Sequence, residues 1–217
     1  MILVNFKIYK ETFGDGAVKL AKIIKEVGDE SKIRMIVIAS ALDAARIKEK
    51  TGVEVWLQNV DEYQEGKHTG WISAEQAMAM GIGGGLVNHF EHQTPRGTVQ
   101  KIIKNKPKGF ELACCVKTTG QIEKWVAKTK ADYIFYEAPE FIGNSQQSVA
   151  TKPESIKKAV ELSGKIPLIA GAGVKNKEDV EVCLKMGAKA VGLSSALVLG
   201  DDPKKVLEDI ARGFGSV

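Results

Sequence analysis

The sequence predicts an α/β protein, a (β/α)8 barrel of eight parallel strands with an outer ring of helices. Three observations carry that prediction. Short apolar runs alternate with amphipathic stretches from one end of the chain to the other. The runs are rich in Val, Ile and Leu without strict polar alternation, as strands buried on both faces are. The repeat length is about 27 residues, room for one strand and one crossover helix in each unit.

The strand-like runs are Ile2–Lys7, Arg34–Ala39, Val53–Gln58, Gly85–His89, Phe110–Cys115, Asp132–Glu137, Ile166–Ala170 and Ala190–Ser194. Between the first two, Ala17, Leu20, Ala21, Ile24 and Val27 recur at helical spacing, with Gly28 as the expected stop. Asn176 is placed to cap a helix over Lys177–Met186 that ends at Gly187, and Asp202 with Pro203 opens the last helix. A doubly wound open sheet would carry Gly-x-Gly-x-x-Gly after its first strand, where this chain has Asn5-Phe6-Lys7-Ile8-Tyr9-Lys10. No linker or low-complexity segment interrupts the repeat, so one barrel domain over residues 1–217 is expected.

At 217 residues and 44% hydrophobic, the chain can bury a large core without disulfides. No apolar run approaches the roughly 20 residues that cross a bilayer. The start, Met1 to Lys7, reads as a strand and not as a signal peptide. The net charge of +4 is spread in mixed sign apart from short pieces such as Lys101 to Lys108, and aromatics make up only 6%. That argues against a nucleic-acid partner and leaves small anions as ligands. Cys114, Cys115 and Cys183 form no Cys-x-x-Cys pair and read as reduced thiols of a cytoplasmic protein, the first two as core residues.

In such a barrel the chemistry sits on loops at the carboxyl ends of the strands. Asn5 and Lys7, two apart, would point to one side of the first strand. The fourth strand ends in Asn88-His89-Phe90-Glu91-His92, and the sixth in Tyr136-Glu137-Ala138-Pro139. An amine, an imidazole and a carboxylate at one mouth can bind an anion, polarise a carbonyl and move a proton. His89 and His92 are three apart, but His-Glu-x-x-His is absent and no third ligand stands at a recognisable spacing, so no metal or other cofactor is expected. About fourteen residues from Ala138 to Thr151 follow the sixth strand, longer than the usual connection.

Asn5-Phe6-Lys7, Asn88-His89-Phe90-Glu91-His92 and Tyr136-Glu137-Ala138-Pro139-Glu140-Phe141-Ile142-Gly143 resemble the three signature segments of the triosephosphate isomerase family. Gln58-Asn59-Val60 and His68-Thr69-Gly70 are similar to its third strand and the loop beyond. The short length and Gly171-Ala172-Gly173 look most like the archaeal branch. The resemblance implies an isomerase of the two triose phosphates, with Glu137 as base, His89 as neutral electrophile and Lys7 as the cation for substrate and enediolate, helped by Asn5. A neutral histidine beside a helix amino terminus is the known case in that family. Glu91 would be the carboxylate beside the histidine. The residues after Glu137 would form a lid hinged at Ala138-Pro139-Glu140, with Ile142 near its tip. Phosphate would lie against Gly143, Ser145, Gly171, Ala172, Gly173, Ser194 and Ser195. A homodimer or homotetramer is implied, Thr69 reaching toward the neighbouring site.

Several positions depart from the family pattern. Phe90 stands where a serine usually follows the histidine, and would crowd the base or desolvate it unless its ring turns away. The lid reads Gly143-Asn144-Ser145 in place of Gly-Thr-Gly, Ser194-Ser195-Ala196 replaces a glycine near the phosphate, and Ser40 replaces a proline. Two other readings therefore stay open: a diverged barrel enzyme acting on another small phosphorylated or anionic metabolite, and a nonenzymatic homologue.

Overall fold

The computed structural model describes residues 1–126, 129–142 and 147–216. Its strands are β1 (Ile2–Asn5), β2 (Met35–Ala39), β3 (Glu54–Leu57), β4 (Gly84–Val87), β5 (Glu111–Val116), β6 (Tyr133–Glu137), β7 (Leu168–Gly171) and β8 (Ala190–Leu193). Each pairs in parallel with the next, and β8 returns to β1, closing the barrel in chain order. The helices are α1 (Asp15–Ser31), α2 (Ala44–Thr51), α3 (Ala74–Ala79), α4 (Arg96–Asn105), α5 (Thr119–Gln121), α6 (Pro153–Ser163), α7 (Lys177–Lys185), α8 (Ser195–Val198) and α9 (Pro203–Arg212).

Alternate residues of each strand serve two cores, which is why the apolar runs show no polar alternation. Leu3, Ile36, Ile38, Trp56, Leu86, Phe135 and Ile169 fill the barrel interior. Ile2, Val4, Val37, Val55 and Ile134 face the helices. Trp56 is wholly buried and takes the room left by glycine in β4: a Cβ at Gly84 would stand 2.7 Å from its indole. At the amino-terminal end the Arg34 guanidinium joins three further strands. It donates to Glu54 at 2.8 Å, to the Tyr133 hydroxyl at 3.1 Å and to Glu111. That charged floor leaves the opposite end for ligands.

All eight predicted strands are present, with shifted ends. The first stops at Asn5 and the fourth at Val87, because Lys7 and Asn88 have φ of 47° and 62°, a left-handed geometry that ends an extended strand. The expected stop of α1 at Gly28 is wrong. The helix continues to Ser31 and ends at Lys32, whose φ is 61°. A glycine inside a helix costs about 1 kcal/mol, which the buried stripe Ala17, Leu20, Ala21, Ile24 and Val27 outweighs. Both predicted caps hold: Asn176 Oδ1 accepts from Asp179 N at 2.9 Å and Asp202 Oδ1 from Lys205 N at 3.1 Å. The three cysteines are buried free thiols. Among the described residues no helix is long and apolar enough to cross a membrane.

Candidate active site

Lys7 lies just beyond β1, and its left-handed backbone is held from two sides. Its N–H donates to Asn5 Oδ1 at 3.0 Å, and its carbonyl accepts from Gln58 Nε2 at 2.9 Å. A non-glycine residue in this region costs on the order of 1–2 kcal/mol, and these two bonds fix it there. The expectation that Asn5 and Lys7 share a strand face is therefore corrected. The chain leaves the strand between them, yet both still line the same cavity. The Lys7 ammonium donates to Glu91 Oε1 at 2.7 Å.

Beyond β4, buried Asn88 donates to the Cys115 carbonyl at 2.9 Å and accepts from Thr94 N at 3.0 Å, tying the loop to β5. This lets the chain turn sharply and brings Glu91 N–H to within 3.2 Å of His89 Nδ1. That donor comes from the turn itself, whereas α4 begins only at Arg96. An Nδ1 that accepts a hydrogen bond assigns the proton of a neutral imidazole to Nε2. His89 Nε2 lies 3.2 Å from Glu137 Oε2. The contact is close but not aligned as a hydrogen bond, and Oε2 is buried without a partner. Burial disfavours the imidazolium, but the Glu137 and Glu91 carboxylates outweigh it against an opposing Lys7. The net effect raises the His89 pKa above its ordinary value.

Glu137 ends β6 opposite Gly171 of β7. A side chain at 171 would have its Cβ 2.8 Å from the Phe135 ring and 3.3 Å from Glu137 Cγ, so glycine there makes room for the carboxylate. Beneath, the Phe135 ring also fills the space beside Gly192.

These groups face a cavity of about 440 Å3 at the carboxyl ends of the strands. Asn5, Lys7, Glu137, Ala172, Gly173, Ser194 and Ser195 line it, and His89 lines an adjoining recess with Lys7, Gln58 and Glu91. Gly171 stands behind Glu137. Gly143 and Ser145 lie outside the described residues. The foot of the Ala138–Thr151 segment is anchored to the loop after β7 and to α7: Val149 N donates to Ala172 O at 3.0 Å and the Ser148 hydroxyl to Asp179 Oδ1 at 2.8 Å. Ser194 Oγ is buried in this region with no hydrogen-bond partner.

Sequence reading missed Gln58 as the anchor of Lys7, because that contact joins β3 to β1 across 51 positions. It also missed Lys175 and Gly192 as cavity residues. A lysine two residues past Gly173 was the available signal. Phe90 does not line the cavity. The residue is 36% exposed, and its ring sits 5.4 Å from the Lys117 ammonium. Among the described residues no cluster of His, Cys, Asp and Glu is arranged to hold a metal ion.

The triosephosphate isomerase family profile matches residues 1–211. The triosephosphate isomerase of Metallosphaera sedula is 34% identical over 98% of this chain and 95% of its own length. That of Saccharolobus solfataricus is 34% identical over 96% and 93%. That of Methanocaldococcus jannaschii is 31% identical over 98% and 99%. With the closed barrel and a match along nearly its full length, the chain belongs to the triosephosphate isomerase family.

Proposed function

We propose that the chain interconverts dihydroxyacetone phosphate and D-glyceraldehyde 3-phosphate, a step of glycolysis and gluconeogenesis, with Glu137, His89 and Lys7 as its catalytic residues. The observation that carries this reading is the meeting of Glu137 and His89 at 3.2 Å beside Lys7, although they come from the ends of β6, β4 and β1. The Glu137 carboxylate takes a proton from the carbon next to the carbonyl. His89 donates its Nε2–H to the carbonyl oxygen, and the electron pair of the broken C–H bond forms the enediol. The imidazole then moves a proton between the two oxygens, and Glu137 returns its proton to the neighbouring carbon. Nothing is gained or lost overall, and no cofactor is required. Lys7 opposes the negative charge that develops.

The phosphoryl group sits against Gly171, Ala172, Gly173, Ser194 and Ser195, with Asn5 positioning Lys7. Gly143 and Ser145 complete the set from the lid segment. Closure of that segment would keep water from the enediolate. We take residues 1–217 as one domain and the protein as a cytoplasmic homodimer or homotetramer. Supporting association, the Tyr63 ring packs at a tilt against His68 and Trp71, with centroids 4.5 and 4.6 Å apart, on the exposed loop that carries Thr69. Ile8, Phe13 and Leu42 are exposed apolar residues on the loops after β1 and β2.

A coupled assay with glyceraldehyde 3-phosphate tests the reading, run with and without 2-phosphoglycolate and beside Glu137→Gln. Turnover that the analogue blocks, and that falls by about 10²–10⁴ in the variant, is expected. A folded protein with no turnover would overturn it.

A further inference from the structure

His89 and Glu137 leave strands that are not neighbours, since β5 stands between β4 and β6. Pairing refers both strands to β5, with Val87 opposite Cys114 and Cys115 opposite Phe135. On the β4 side that register stops at Val87, so it does not by itself place the imidazole. Beyond it residues 90–93 are all exposed, and apolar packing does not hold them. Lys7 and Lys117 reach this stretch through the exposed side chains of Glu91 and Gln93, and surface contacts of that kind hold a backbone weakly. Asn88 is different. It is 5% exposed and lines neither the cavity nor its adjoining recess. Its Nδ2 donates to the Cys115 carbonyl at 2.9 Å, which carries the attachment to β5 one residue past the strand. Its Oδ1 accepts from Thr94 N at 3.0 Å and so closes residues 89–93 into one loop. Inside that loop His92 N donates to His89 O at 2.9 Å, and Glu91 N to His89 Nδ1 at 3.2 Å.

We propose that Asn88 is a positioning residue of the isomerisation, whose two hydrogen bonds hold His89 as the Nε2–H tautomer within reach of Glu137. The inference rests on the isomerase reading for the reaction, but not for the state of the ring. An amide suits the place because it donates in one direction and accepts in another, and asparagine tolerates the left-handed φ of 62°. If the loop opened, Glu91 N–H would leave Nδ1, and a neutral imidazole without that bond shares its proton between both nitrogens. The Nδ1–H form turns a bare Nε2 toward the substrate and has no proton to give the carbonyl oxygen. Asn88 therefore acts on the chemical step through His89, and not on the affinity for the substrate.

The test compares the unaltered protein with Asn88→Gly, which keeps the backbone geometry but loses both bonds, and Asn88→Asp, whose carboxylate still accepts from Thr94 N. Each is checked for fold by circular dichroism. In the coupled assay Asn88→Gly should lower kcat by about 10–100-fold while KM changes by less than about threefold. Asn88→Asp should recover part of that loss. Ring 15N NMR, at a pH where the imidazole is neutral, should show Nε2–H alone in the unaltered protein and a mixture of tautomers in Asn88→Gly. The chain has three histidines, so comparison with His89→Gln assigns the signals. Equal kcat in the unaltered protein and Asn88→Gly would overturn the proposal. So would a fall in kcat with the ring still in one tautomer, which marks a merely structural role. A tautomer mixture in Asn88→Gly, in a protein that does not turn over glyceraldehyde 3-phosphate, would overturn the isomerase reading and leave the hold on His89 standing.

Discussion

Phe135 occupies the space that any side chain at Gly192 would need: a Cβ there would lie 2.1 Å from its Cζ. The ring, 2% exposed, belongs to the barrel interior beneath Glu137. It cannot swing aside without disturbing Leu86, Cys115 or Ile169 in the same cluster. Gly192→Ala should therefore cost about 1–3 kcal/mol of stability through overpacking, read by urea unfolding. Phe135→Leu in the same chain should recover part of the loss. An unchanged Gly192→Ala midpoint would mean that the ring is not held where it lies.

Gln58 holds the carbonyl of Lys7 at 2.9 Å, and Asn5 holds its N–H at 3.0 Å. Removing the first bond frees a residue whose φ of 47° is unfavourable for lysine. Gln58→Ala should lower kcat/KM for glyceraldehyde 3-phosphate by about tenfold, by misplacing the ammonium while the global fold persists. Turnover equal to that of the unaltered protein would show that Lys7 keeps its position through Asn5 alone.

His89 should titrate above its ordinary value of 6.5, because Glu137 and Glu91 outweigh the effect of burial. A raised folded-state pKa stabilises the protein fully below the unfolded value, and that contribution disappears as pH rises through the folded value. Imidazole NMR should give a midpoint above 6.5 that drops in Glu137→Gln. The stability difference between the unaltered protein and His89→Gln should shrink as pH rises through that midpoint. A midpoint at or below 6.5 would show that burial dominates.

The Phe90 ring lies 5.4 Å from the Lys117 ammonium and is not among the residues that line the cavity. An exposed cation–π contact is worth about 0.5–1 kcal/mol. Phe90→Ser should therefore cost no more than that in thermal unfolding and leave kcat/KM close to that of the unaltered protein. A large gain in turnover would place the ring against Glu137 in the closed state.

All three thiols are buried, and burial pushes Cys114 and Cys183 up to about 12 and holds Cys115 well above its ordinary value. A thiol with so little thiolate and no access reacts slowly. Ellman's reagent should find no fast-reacting thiol in the native protein at pH about 8, and all three after denaturation.

The sequence by itself determined the barrel, because buried parallel strands impose short apolar runs and each crossover imposes a helical period between them. It also placed Lys7, His89 and Glu137 at strand ends, since polar residues that terminate apolar runs are visible along one dimension. The caps at Asn176 and Asp202 were legible for the same reason: their bonds span three residues. Only the tertiary structure decided that Gln58 anchors Lys7, that Phe90 turns toward Lys117, and that Gly171 and Gly192 make room for Glu137 and Phe135. Those relationships join strands far apart in the chain, and their directions follow from barrel closure and from the left-handed turns at Lys7 and Asn88. A run of residues read as a continuing strand gives no sign of where its backbone reverses hand.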